Sequence, residues 1–170
     1  MDTPEIFISY IHEDEIAASG LRTFLEAKLR VQVFVAGDQL RLGDEWLSKI
    51  RAALRSAKVV LALFSPAAIN RPWVNFEAGA AWFSDEKILI PICIGNLSPE
   101  NLPKPYSNIQ GASLDRDLSS AVWYMIQDLW KVLELTGTSP PPFNIEDRDL
   151  SLLSMSIYEW RVKNRESGHY

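Results

Sequence analysis

Apolar and polar positions alternate in blocks along this chain. Residues 5–10 (Glu-Ile-Phe-Ile-Ser-Tyr), 31–35 (Val-Gln-Val-Phe-Val), 58–64 and 88–94 predict strands, with a weaker fifth over 110–114. The runs 58–64 and 88–94 are almost wholly apolar, the pattern of strands covered on both faces. Pro91 interrupts the fourth run and predicts an edge-ward position or a bulge there.

Helical spacing fills the gaps. Ile16, Leu21, Phe24, Leu25 and Leu29 fall on one helical face; so do Trp46, Leu47, Ile50, Ala53, Leu54 and Ala57. A longer stripe runs from Leu118 through Val122, Met125, Ile126 and Leu129 to Leu133. Asn70-Arg71-Pro72 predicts a helix start, since proline in the first turn loses no hydrogen bond. Strands alternating with helices imply an α/β fold with a doubly wound parallel sheet.

Composition adds limits. The length of 170 residues suits one domain, and 47% apolar with 23% charged residues is ordinary for a globular protein. A net charge of −5 argues against direct nucleic-acid binding. With one cysteine, Cys93, no intramolecular disulfide can form; a reducing compartment and a small core residue are the expected readings. The N-terminus lacks a signal-peptide pattern and no apolar run reaches the length of a membrane span, so a cytoplasmic location is expected. Pro140-Pro141-Pro142 places a break at 137–142, after which 143–170 is too short for its own core. That extension is expected to be helical and to pack back through Leu152, Leu153, Ile157 and Trp160, or to enter a partner.

In open parallel sheets a ligand crevice lies beyond the carboxyl ends of the strands, where strand order reverses. That rule selects Ser9-Tyr10-Ile11-His12, then Ala36-Gly37-Asp38 with the loop through Arg41, Leu42 and Gly43, and the helix beginning near Pro72. Trp73 and Glu77 are four residues apart in that helix and share a face. A flat nucleotide can stack on the tryptophan. A carboxylate can bind ribose hydroxyls and stabilise positive charge at an anomeric carbon. Loss of nicotinamide from NAD⁺ passes through such an oxocarbenium-like state, and nicotinamide leaves as a neutral group without needing a general acid.

Other chemistries lack their residues. Neither a Gly-rich dinucleotide fingerprint nor a phosphate-binding P-loop is present. Ser65 stands where a receiver-type phosphoacceptor needs aspartate. His12-Glu13-Asp14 is read as a surface loop with Asp14 capping a helix, because adjacent residues rarely all reach one metal; no metal site is expected. Ser9 and Ser65 are read as turn or backbone-bonding hydroxyls, and Trp46 as a packing residue.

Together these motifs resemble the Toll/interleukin-1 receptor (TIR) domain family over about residues 4–136. Ile6-Phe7-Ile8-Ser9-Tyr10 resembles its first strand; Val33-Phe34-Val35 with Leu40-Arg41-Leu42-Gly43 and Trp46, its second strand and following loop; Val59 to Pro66, its third strand. Trp73-Val74-Asn75-Phe76-Glu77 resembles the tryptophan–three residues–glutamate motif of NAD⁺-cleaving members, and Glu77-Ala78-Gly79-Ala80-Ala81-Trp82 resembles bacterial members. The resemblance implies a five-stranded sheet in flavodoxin-like order. It implies NAD⁺ glycohydrolase or ADP-ribosyl cyclase activity with NAD⁺ as substrate and no cofactor. Glu77 takes the catalytic role; Tyr10, Ile11, Asp38, Arg41 and Trp73 contact the nucleotide. Ala36 departs from the aspartate of many members, and Ile11 from a residue that is often polar. The family further implies self-association through the loop from Asp38 to Asp44 and, for a bacterial member, antiphage defence with a separate effector that senses the product. The competing class is a non-catalytic adaptor that only recruits other TIR domains.

Overall fold

The computed structural model describes residues 4–37, 44–82, 84–115, 117–135 and 147–166. Its elements are β1 (Ile6–Tyr10), α1 (Glu15–Leu29), β2 (Val33–Gly37), α2 (Asp44–Ser56), β3 (Val59–Phe64), α3 (Pro72–Trp82), β4 (Ile88–Cys93), β5 (Ala112–Ser113), α4 (Leu118–Val132) and α5 (Arg148–Glu166). All strand pairings are parallel, in the order β2-β1-β3-β4-β5. This is the five-stranded doubly wound α/β sheet in flavodoxin-like order.

Strand alternation builds two cores. Ile6 and Ile8 of β1 and Val59, Leu61 and Leu63 of β3 enter a core with α1, α4 and α5. Phe7, Val60, Ala62 and Phe64 enter a second core beneath α2 and α3, with Ile50, Val74, Ala78 and Ala81. Every residue of β3 is buried, which is why its sequence shows no polar alternation.

Two strands differ from their sequence limits by more than one residue. β2 runs from Val33 to Gly37, two residues later than the apolar run suggests. The cause lies at the end of α1. Arg30 turns left-handed (φ 56°), its N–H donates to Glu26 O, and the Glu26 carboxylate accepts from Val33 N–H at 3.3 Å. Val31 and Gln32 are thereby spent on the connection. β5 keeps only two residues of its expected five and pairs with Ile92 and Cys93. The ladder on that side of β4 therefore begins after Pro91, and the proline interrupts nothing.

Outside the sheet, α5 lies on α1. Lys28 binds Asp147 at 2.6 Å and Asp149 at 2.9 Å. Gly20 allows the close approach: a Cβ there would stand 2.5 Å from Ser156 Cβ. Leu153, Ile157 and Trp160 are buried, whereas Leu152 points outward. The proline-rich break lies outside the described residues.

Candidate functional site

β1 lies between β2 and β3, so the chain leaves its carboxyl end in one direction and later returns on the other side. The residues closing this switch point come from the end of β1, the turn after β3, and α3. Pro72 opens α3, and the Asn75 side-chain amide donates to Ile69 O at 3.1 Å and Arg71 O at 2.9 Å, tying the helix start to the preceding turn. Arg71 in turn pairs with Glu13 beyond β1.

α3 packs on the second core through Val74, Ala78 and Ala81, and the same sheet-facing side carries Glu77. Glu77 is 1% exposed, although an open crevice was expected around it. Neither carboxylate oxygen has a hydrogen-bond partner. Burial raises its pKa to about 8, and the nearby Ser9 hydroxyl pulls the value partly back. The Ser9–Glu77 geometry nevertheless falls short of a hydrogen bond, since the Ser9 hydroxyl is also buried without a partner.

Ser9 follows from the pleat. Phe7 and Ile11 belong to the α3-side core, and Ser9 alternates with them. Reading its hydroxyl as a turn group missed this placement. The usable signal was the period of two.

Trp73 lies one turn before Glu77, half-buried against the same core, with its indole nitrogen buried and unpartnered. Among the described residues, six buried side-chain polar atoms have no partner, and four of them belong to Ser9, Trp73 and Glu77. Natural interiors rarely tolerate such atoms without cause. Ser9 and Glu77 lie together, and Trp73 stands one helical turn away; a hydroxylated or cationic ligand that reached Glu77 would find polar atoms with no other partner.

The remaining expected residues fall differently. Tyr10 packs toward the first core, on the sheet face opposite Glu77, with its ring over Gly37. The Ile11 side chain is fully buried in the second core, and its carbonyl accepts from Asp14 N–H at 2.8 Å. Asp38 and Arg41, like Leu42 and Gly43, lie outside the described residues. So does the side chain of Trp46. Cys93 is a buried free thiol whose pKa burial pushes up to about 12.

Asp14 requires correction. It stands at the N-cap of α1 but makes no side-chain cap bond. It is fully buried instead, accepting from Ser65 Oγ at 2.7 Å and from Trp160 Nε1 at 2.8 Å. Two donors from other elements outcompete the local helix N–H groups. His12 points to Glu15 and Glu13 to Arg71, so the His12-Glu13-Asp14 trio diverges. Among the described residues no group of His, Cys, Asp and Glu could hold a metal ion, and no helix is long and apolar enough to cross a membrane.

Two open cavities lie elsewhere. One of about 620 Å³ sits between β4, β5 and α4; another of about 590 Å³ sits between α1 and α5. Neither is lined by Ser9, Trp73 or Glu77. The unsatisfied polar atoms mark the candidate site better than open volume does, because they carry a cost that a ligand can relieve.

A family model described as the TIR domain matches residues 6–122. No curated protein sequence matches the chain. Among solved structures, the chain is similar to the TIR domains of the activated Roq1 resistosome directly recognizing the pathogen effector XopQ. The identity is 14%, the alignment covers 91% of this chain and 98% of that one, and the TM-score is 0.43.

Proposed function

The chain belongs to the TIR domain family, and from that premise we propose that it cleaves NAD⁺ between nicotinamide and ribose, with Glu77 as the catalytic carboxylate. The observation that carries this reading is the buried Glu77 carboxylate with both oxygens unpartnered, near the equally unpartnered Ser9 and one helical turn after Trp73. An uncompensated carboxyl in an apolar helix face destabilises the resting fold. A cationic nicotinamide riboside beside it would favour the ionised form and lower its pKa.

In the reaction the glycosidic C–N bond breaks, and its electron pair neutralises the nicotinamide ring. Charge moves to the ribose C1′, where the Glu77 carboxylate stabilises it. Water, or a nucleophile of the same molecule, then takes C1′ and gives up a proton, yielding ADP-ribose or a cyclic or modified form. Trp73 offers an aromatic surface for a ring of the substrate. Tyr10, Ile11, Asp38 and Arg41 are proposed nucleotide contacts, with Tyr10 and Ile11 needing rearrangement or main-chain contact.

Because Glu77 is closed off, the competent conformer is a minor one, and assembly with other TIR domains through the Asp38–Asp44 loop would select it. The proposed setting is cytoplasmic bacterial antiphage defence, with the product sensed by a separate effector. The closure of Glu77 also favours a second reading, a non-catalytic adaptor acting through TIR–TIR association.

One experiment separates the two. Purified protein is incubated with NAD⁺ over a wide dilution series, and the products are resolved by chromatography for wild type and Glu77→Gln. Nicotinamide release by wild type, with specific activity rising with concentration and lost in Glu77→Gln, supports the enzyme. A folded Glu77→Gln protein with full activity removes Glu77 from catalysis, and no release at any concentration leaves the adaptor.

A further inference from the structure

Helix α5 is apolar on two opposite sides. Leu150, Leu153, Ile157 and Trp160 are buried in the first core. Leu152, Met155, Tyr158 and Val162 face outward at 43%, 66%, 67% and 39% exposure. They are four of the eight large apolar side chains exposed among the described residues. Leu152, Met155, Tyr158 and Val162 recur at steps of three, three and four and so share one side of the helix, with exposed Ser151 and Glu159 among them. Scattered exposed apolar residues are ordinary. A helix that is apolar on both sides has the pattern of one covered on both.

The ends of the stripe carry opposite charges. Arg148 opens α5 and Glu166 closes it, and both are exposed. They are about five turns apart and so project from the same side of the helix. Each also opposes the helix dipole, which favours anions at the N-terminus and cations at the C-terminus. Asp149 in the first turn and Lys163 and Arg165 in the last do complement the dipole, so Arg148 and Glu166 are the exceptions at their ends.

We infer that the outer face of α5 seats a second copy of this chain, the two α5 helices running antiparallel about a twofold axis at the level of Ile157. Leu152 of one copy then faces Val162 of the other, and Met155 lies beside Tyr158. Arg148 of each copy reaches Glu166 of the other, and the opposed dipoles complement one another. A parallel pairing would set Arg148 on Arg148 and Glu166 on Glu166. The twofold makes the contact self-complementary and closed. This interface lies outside the residues that match the TIR family model, 6–122, and it is independent of the NAD⁺ reading.

Sedimentation of the full chain across a wide concentration range tests it. Wild type should form a discrete dimer. Met155→Glu and Tyr158→Glu should each weaken it by roughly a hundredfold or more, with unchanged circular dichroism. Arg148→Glu or Glu166→Arg alone should weaken it roughly tenfold, and the two exchanged together should restore it to within about threefold. A chain monomeric at every concentration overturns the proposal. So does a dimer indifferent to Met155→Glu, or a charge exchange that restores nothing.

Discussion

The indole N–H of Trp160 donates to Asp14 Oδ1 at 2.8 Å, joining residues 146 positions apart in the chain. Both side chains are fully or almost fully buried. Asp14 also accepts from Ser65, so one carboxylate ties the segment after β1, the end of β3 and α5 together. Trp160→Phe keeps a six-membered ring but leaves a buried acceptor short of a donor and a small void where the rest of the indole packed. It should cost about 1–3 kcal/mol in denaturant unfolding. A change below about 0.5 kcal/mol, the scale of an ordinary surface substitution, would show that the bond contributes little.

Asp14→Ala removes the shared acceptor and leaves two donors, Ser65 and Trp160, without it. The loss should exceed that of Trp160→Phe, and the two substitutions together should cost less than their sum, because both break one network. Simple additivity in a double-mutant cycle would contradict a direct coupling.

Glu77 makes stability depend on pH. Its native value of about 8 lies above the ordinary 4.5. Between those values the native protein binds more protons than the unfolded chain, so stability falls as pH rises from about 4.5 to about 8. Glu77→Gln removes this slope. The variant should match wild type near pH 4.5 and exceed it above pH 8, by on the order of a few kcal/mol at most. Parallel melting-temperature curves for the two proteins across that range would show the carboxyl to be solvated.

The same group shapes the rate. If the ionised form is the active one, kcat/KM for NAD⁺ should climb up to tenfold per pH unit on the acid side and level off above about 8. The break in kcat should fall at lower pH, since bound cationic substrate favours the carboxylate. A kcat/KM independent of pH between 6 and 9 would exclude this role.

Trp73→Ala tests the aromatic surface. Loss of one stacking platform should raise KM by the equivalent of roughly 1–3 kcal/mol, by analogy with base stacking on aromatic side chains. Unchanged steady-state kinetics would return Trp73 to packing alone.

Much of the architecture was legible because burial on both faces writes itself into a strand. Val59 to Phe64 shows no polar position, since every side chain meets a core. The helix carrying Trp73 and Glu77 announced itself through Pro72. What was not legible depends on distant partners. Asp14 precedes a helix, and the local reading is a cap; its actual donors are Ser65 and Trp160, remote in sequence. Ser9 and Glu77 meet only because α3 covers one particular face of the sheet, and Tyr10 is turned away for the same reason. The burial of Glu77 has no local signature either, since its own helix is short and, apart from Asn75 and Glu77, carries no polar side chain to mark an outer face.

Gly20 and Ser156 sit so close that a Cβ at residue 20 has no room while α5 stays in place. One belongs to the stretch that matches the TIR family model and the other lies beyond it. The family-matched stretch is thereby coupled to the segment beyond it: any side chain added at residue 20 has to displace α5 from α1.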